Sequence, residues 1–341
     1  MSNGDSKNLE IGKHGLHFAV VELTEKCNLR CKHCYGNFVG GKSLSPEDIR
    51  LIINQLQEIG CWRITLSGGE PFILGDKLEE IFNLFRKNFK KLLMVTNGVL
   101  INDRYIEFLK KIDLLQISLD GPEKIHNYIR GEEIFSRVIS NIIKLKDNGV
   151  NVALMFTANS FNIDYFPQVV EIAENLGVKL FFERYTPKRV GDELSLDVSN
   201  FFKLTKFAMS ENIESSDPIC NLHNHIVNNS SKFLNSKSFS GCSAGISGIA
   251  ITSNLDVLPC VRIRKKIGNL KVDSLLDIWY NNPVLKQLRN LSEYKDNCGH
   301  CQHLKKCRGC RAEAIVENQE LLSGDRLCFL NSSAFRSKQI L

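Results

Sequence analysis

From Phe18 to Glu183, short aliphatic and β-branched runs alternate with longer segments whose apolar residues recur every three or four positions. The first pattern marks buried strands and the second amphipathic helices. It predicts strands at Phe18–Leu23, Arg63–Ser67, Leu92–Thr96, Leu114–Leu119, Val152–Thr157 and Lys179–Glu183. Helices are expected at Ser45–Glu58, Lys77–Lys87, Asp103–Lys110, Glu133–Asn148 and Asp164–Asn175. Ser45-Pro46-Glu47-Asp48 supplies an N-cap, a proline at the first helical position and two early acids. Asn148-Gly149 and Asn175-Leu176-Gly177 supply helix stops. Six strands alternating with helices imply parallel βαβ units, arranged as a doubly covered sheet or an open or partial barrel. In such barrels chemistry gathers at the C-terminal ends of the strands.

After Tyr185 the alternation stops. Residues 186–241 are polar and rich in Asn and Ser, and read as a linker with a helix near Ser199–Ser210. Ile246–Thr252 and Val257–Leu258 then predict a short hairpin with Ser253-Asn254 near its turn. Asp273–Trp279, Pro283–Leu291 and Ala312–Asn318 are read as helical. The chain has 341 residues, 43% hydrophobic and 24% charged, which excludes a disordered polypeptide and suits about two domains. A chain of this length needs no disulfides to supplement its core. Yet it carries 12 cysteines. Residues 1–17 hold no apolar stretch of a secretory signal, and the longest apolar runs are far too short to span a membrane. The expected location is the cytoplasm, where thiols hold metal more often than they pair. The net charge of +6 is too weak to argue for nucleic acid.

Cys27, Cys31 and Cys34 fall within eight residues, soon after the first strand. On one loop, C-x3-C-x2-C spacing lets three sulfurs converge on one inorganic centre. A 4Fe–4S cluster takes four thiolates, so three would leave one iron open; catalytic zinc sites use the same logic. Further signals follow at successive strand ends. Ser67-Gly68-Gly69-Glu70-Pro71 comes after the second strand, Thr96-Asn97-Gly98 after the third and Ser118-Leu119-Asp120-Gly121 after the fourth. Taken singly each is a turn sequence. His126-x3-Arg130-Gly131 follows, and its arginine suits a carboxylate, although a solvated surface arginine would look the same.

In this order the motifs resemble the radical S-adenosylmethionine superfamily. The resemblance implies a partial (β/α)6 TIM-like barrel of the α/β class, with Cys27, Cys31 and Cys34 ligating a 4Fe–4S cluster. The free iron would chelate S-adenosylmethionine, whose reductive cleavage gives a 5′-deoxyadenosyl radical. Gly68, Gly69 and Glu70 would meet the methionine amino group, and Asn97, Ser118 and Asp120 the ribose and carboxylate. Arg130 would approach the carboxylate. The glycine-rich adenine contact of the fifth strand is replaced by Ala153–Asn159.

A second cysteine group comprises Cys242, Cys260, Cys298-x2-Cys301, Cys307-x2-Cys310 and Cys328. Two C-x2-C pairs are a strong metal or cluster signal. The group resembles the SPASM domain, a small C-terminal cysteine-rich iron–sulfur domain with one or two auxiliary 4Fe–4S clusters. By that resemblance Cys298, Cys301, Cys307 and Cys328 would bind one cluster, and Cys242, Cys260 and Cys310 the other. The latter set has three ligands, with Gly248 or another non-cysteine where some members have a fourth. Cys220 is either a recruited ligand or a structural thiol. Val261-Arg262 stands where sulfatase-maturing members place an acidic base, which argues against sulfatase activation. Leu255 replaces a usual glycine. Cys61 reads as a buried core thiol. The basic stretches Arg262–Lys266 and Lys305–Arg311 suit either an acidic substrate or the balancing of thiolate charge on the clusters, and the second is the expectation.

The expected organisation is a core barrel over 13–190, a linker over 191–240 and an auxiliary-cluster domain over 241–341. The expected activity is oxidative modification of a peptide or protein side chain. The alternative substrate is a small cofactor precursor such as a tetrapyrrole side chain. Phe182–Pro187 with Gly191 is loosely similar to the tetrapyrrole enzymes, and only 26 residues precede Cys27, which leaves no room for a fused leader-binding domain. A reducing donor such as a ferredoxin or flavodoxin is implied, with no membrane or nucleic-acid partner. A zinc-stapled binding protein without enzymatic activity is the third expectation.

Overall fold

The computed structural model describes residues 15–36, 38–227 and 241–331. Its parallel strands are β1 (Phe18–Glu22), β2 (Arg63–Ser67), β3 (Lys91–Thr96), β4 (Leu114–Ser118), β5 (Val152–Ala158) and β6 (Lys179–Arg184). Between them run α1 (Pro46–Glu58), α2 (Lys77–Asn88), α3 (Ile106–Leu109), α4 (Glu123–Arg130), α5 (Phe135–Asp147) and α6 (Phe166–Leu176). Ser45 caps α1 in a capping box with Asp48, as the sequence pattern requires. Every expected strand is present within a residue or so. Helix α4 is additional: its buried face carries His126 and Arg130 beside Ile129, so no apolar period announces it.

The six strands follow chain order and do not close on one another, because further short strands extend the sheet beyond β1 on one side and beyond β6 on the other, to ten strands in all. The expected hairpin, β8 (Gly248–Ile251) and β9 (Asp256–Leu258), forms as an antiparallel pair. Its unexpected feature is that β8 also pairs in parallel with β1, so the C-terminal region extends the barrel's own sheet. The short strand β10 (Gly268–Asn269) finishes that edge.

The stretch read as a linker is structured over its described part. It folds as α7 (Val198–Ser210), β7 (Glu214–Ser215) and α8 (Pro218–Val227), and β7 joins the sheet beside β6. Residues 228–240, together with 13–14 and 332–341 at the expected outer domain limits, lie outside the described residues. Helices α9 (Leu275–Asn281), α10 (Pro283–Arg289) and α11 (Arg311–Asn318) complete the C-terminal region. One continuous core holds barrel residues such as Leu66 and Phe156 together with Phe201, Trp279 and Phe329.

Strand parity separates two faces. Ile64, Leu66, Leu92, Met94, Leu115, Ile117, Leu154 and Phe156 are buried under the helices. Val20, Thr65, Val95, Gln116, Met155 and Phe181 point to the concave face and are partly exposed. The lumen is therefore an open concavity. Among the described residues, no helix is long and apolar enough to cross a membrane.

Candidate functional site

Cys27, Cys31 and Cys34 sit on the loop after β1, partly exposed and not disulfide-bonded. The Cys31 thiol is electrostatically coupled to both others, and burial pushes its pKa up to about 11. Three anchors fix the loop. Lys32 N–H donates to the Ile129 carbonyl at 2.9 Å, in the last turn of α4. Asn97 Nδ2 donates to Asn28 Oδ1 at 2.9 Å and faces Cys27 Sγ at 4.0 Å. His33 Nε2 lies 2.6 Å from Asp120 Oδ2.

Asp120 is fully buried and is the hub of this arrangement. Its carboxylate also accepts from Arg130 Nε at 2.5 Å and from Thr157 N–H at 2.9 Å. Burial alone would raise its pKa, but Arg130 and then His33 outweigh burial and hold it far below the usual carboxylate range. Its acceptors are thus taken up by protein groups. Arg130 spends its Nε on this pair, close to Cys31 and Cys34. His33 is a residue the sequence reading missed; its place inside the cysteine motif hid its partner, 87 positions away.

Gly68 and Gly69 stand where the β2 turn passes closest to the chain entering the cysteine loop. A Cβ on Gly68 would stand 2.7 Å from the Thr24 carbonyl, and one on Gly69 would stand 2.2 Å from the Lys26 carbonyl. Gly69 N–H and Glu70 N–H donate to those same two carbonyls. The glycines let the β2 turn lie flat against the chain entering the cysteine loop. Glu70, fully buried, accepts from Thr96 Oγ1 and Asn97 N–H at 2.8 Å each, and from Phe72 N–H at 3.1 Å. Burial outweighs these bonds and raises its pKa to about 7. Ser118 is buried at the end of β4, on the concave side.

The C-terminal thiols form two groups. Cys298, Cys301, Cys307 and Cys328 line one small pocket, with Leu304, Gly309 and Asp325 among its other walls. The four cysteines assigned from the motif to one cluster thus surround a common space. Cys242, Cys260 and Cys310 meet in a small separate patch with Ala244, Ile263 and Ala312. Gly248 cannot supply their fourth partner, since a side chain there would enter the Phe18 ring. Cys220 is buried in the main core with its Sγ 3.2 Å from Thr205 Oγ1, and it does not line the cavity. Cys61 is a buried core thiol whose pKa burial raises to about 12.

Basic groups adjoin these thiols. Arg311 Nη2 approaches Cys298 Sγ at 3.5 Å, Gly309 N–H reaches Cys307 Sγ at 3.4 Å, and Arg262 faces Cys260 and Cys310. Among the described residues, no three His, Cys, Asp or Glu side chains converge tightly enough to share one ion. Thiols placed around a void, with cations and N–H donors behind the sulfurs, suit a polynuclear cluster.

Arg184, at the end of β6, ties the barrel to this region. It is fully buried, bonds Asp325 through Nη1 and Nη2 at 2.9 and 2.6 Å, and bonds Asp217 through Nε at 2.5 Å. Asp325 in turn accepts the N–H of Cys310 at 2.7 Å and lines the four-thiol cavity.

Comparison with known proteins agrees with this layout. Residues 21–173 match the Radical SAM superfamily and residues 242–311 match SPASM, an iron–sulfur cluster-binding domain. The chain is 25% identical to an AdoMet-dependent heme synthase of Oleidesulfovibrio alaskensis over 94% of its own length and 89% of that protein's. It is 27% identical to the mycofactocin maturase MftC of Mycobacterium ulcerans, over 94% of this chain and 90% of the relative. The fold is similar to that of Streptococcus suis SuiB bound to its precursor peptide SuiA, with a TM-score of 0.77, 21% identity, and 95% and 78% of the two chains covered. The three-thiol loop, the strand-end turns and the two C-terminal thiol groups thus make this chain a radical SAM superfamily enzyme with a C-terminal SPASM iron–sulfur domain, a class that works with 4Fe–4S clusters and S-adenosylmethionine.

Proposed function

We propose that this enzyme oxidatively modifies a side chain of a tetrapyrrole-class cofactor precursor. The observation that carries the reading is the lining of the concave face. Val20, Val95, Met155 and Phe181 give it a mainly apolar middle interrupted by Thr65 and Gln116, and Glu22, Ser67, Ser118, Thr157 and Glu183 give it a polar rim at the strand ends. The apolar positions suit the face of a flat macrocycle, while Arg264 beside Glu22 and Arg262 beside Glu183 offset the rim's own carboxylates. The end-to-end similarity to a heme synthase supports it.

In this reading Cys27, Cys31 and Cys34 hold the cluster that binds S-adenosylmethionine, and the bound pair supplies a 5′-deoxyadenosyl radical for hydrogen abstraction. Arg130, with its Nε fixed by Asp120, offers its remaining donors to the cofactor carboxylate. Asn97 and Ser118 contact the cofactor from neighbouring strand ends. Glu70, Asp120, Gly68 and Gly69 position the loop from behind. Cys298, Cys301, Cys307 and Cys328 hold one auxiliary cluster around their cavity, and Cys242, Cys260 and Cys310 a second with one open position. A reduced ferredoxin or flavodoxin supplies the electron. Modification of a peptide side chain is the second reading, favoured by the similarity to a mycofactocin maturase.

The test is anaerobic reconstitution followed by an assay for 5′-deoxyadenosine, with coproporphyrin III or its iron complex added. The expected result is about eight to twelve irons per chain, for two to three four-iron clusters. Deoxyadenosine should form only with Cys27, Cys31 and Cys34 intact, together with a porphyrin of altered mass. Full iron loading with an unaltered porphyrin would overturn the tetrapyrrole reading.

A further inference from the structure

The turn after Cys260 places two arginines across the open side of the barrel. It is closed by a bridge between Cys260 and Ile263. Arg264 reaches the end of β1, where Nη1 meets Glu22 Oε1 at 2.6 Å. Arg262 reaches the end of β6, where Nη1 lies 3.4 Å from the Arg184 carbonyl and 4.0 Å from Glu183 Oε2. Strands β1 and β6 are the first and last of the six consecutive parallel strands, with β8 continuing the sheet beside β1 and β7 beside β6. One short turn therefore places one guanidinium at the end of β1 and the other at the end of β6.

The two arginines are held very differently. Arg264 is locked to a fully buried carboxylate. Among the described residues Arg262 makes those two long polar contacts, and its side chain is 18% exposed. A guanidinium carries five N–H donors in a planar fork that matches a carboxylate. Glu183, its acidic neighbour, is itself drawn aside by a hydrogen bond from Ser216 Oγ. Arg262 also lies against the thiols of Cys260 and Cys310, so an anion bound to it would sit between the barrel lumen and the three-thiol group.

We propose that Arg262 is a substrate-recognition residue that binds a carboxylate of the substrate at the barrel mouth, with Arg264 and Glu22 holding the turn in place. This rests on the tetrapyrrole reading above and names the part of that substrate the site selects. The carboxylate would displace the long contact to Glu183 and fix the side chain to be oxidised beneath the module. The strict alternative is that Arg262 only balances thiolate charge.

Binding of coproporphyrin III and of its tetramethyl ester to the reconstituted holoenzyme separates these roles. The free acid should bind the wild type at least about tenfold tighter than the ester, a difference of about 1.4 kcal/mol. Arg262→Gln should lose that preference with iron content and cluster spectra unchanged, and Arg262→Lys should recover part of it. Equal binding of acid and ester by the wild type overturns the assignment, as does an Arg262→Gln enzyme that keeps the preference. Loss of iron in both variants assigns Arg262 to charge balance and overturns it as well. If the wild type binds neither compound, the tetrapyrrole reading falls and takes this assignment with it. If it binds both alike, that reading survives and only the assignment falls.

Discussion

Gly69 has no room for a side chain, since a Cβ there would stand 2.2 Å from a backbone carbonyl that cannot swing away. Gly69→Ala should cost about 1–3 kcal/mol, the usual penalty of overpacking, and should lower iron retention because the strain falls on the cysteine loop. Thermal unfolding and iron analysis of the same sample check both. Leu255 sits at a φ of +66° and is fully buried. Left-handed backbone costs about 1–2 kcal/mol for such a residue, but deleting a buried leucine side chain costs about 2–5. Leu255→Gly should therefore lower stability, and a raised Tm would show that strain dominates. Glu70 carries a pH signature. Its folded pKa of about 7 lies above the ordinary 4.5, so its contribution to stability is full below pH 4.5 and is lost as pH rises through 7. The shift corresponds to about 3 kcal/mol. Between pH 5 and pH 8 the wild-type Tm should fall relative to that of Glu70→Gln, whereas parallel curves would mean that Glu70 does not titrate there.

At the level of elements, local chemistry and tertiary contact divide the work. Helix α1 is specified almost entirely by its own ends. Ser45 accepts the Asp48 N–H at 3.1 Å and Asp48 returns the bond to the Ser45 N–H at 3.1 Å. Ser45→Ala should cost about 1 kcal/mol, read from the urea midpoint, with no change in iron content. Helix α4 is the opposite case. Its inner face uses His126 and Arg130, whose burial makes sense only once Asp120 stands opposite. A pattern search keyed to apolar residues passes over it. In the segment after residue 190 the helix expected near Ser199–Ser210 forms, while polar neighbours hide that Ile219 also enters the core.

Across the whole molecule, barrel and cysteine-rich module behave as one body. The hairpin β8–β9 is an extension of the barrel sheet, and the apolar core runs through both parts. Urea unfolding of the cluster-free chain should accordingly show one cooperative transition, and two resolved steps would contradict a shared core. Arg184 is the charged tie within that body. Arg184→Met leaves Asp217 and Asp325 buried without their partner and should cost about 3–5 kcal/mol, visible as a drop in the urea midpoint.

The chain's own order of residues determined a good deal. Strand and helix periodicities specify the βα alternation, because a two-residue and a 3.6-residue repeat bury different faces. The thiol spacing groups the cysteines, because neighbours on a short loop cannot be far apart. The grouping of Cys298, Cys301, Cys307 and Cys328 is instead what the resemblance to the SPASM domain implies, since spacing alone pairs Cys307 with Cys310, and the four line one pocket. Only the tertiary structure decided that Gly68 and Gly69 make a close backbone contact, that His33 and Arg130 share Asp120, and that Arg264 and Arg262 reach the ends of β1 and β6. Each of these joins positions from 10 to 242 residues apart. Buried charge is placed by its partner, and a partner on another strand leaves no periodic trace in the sequence.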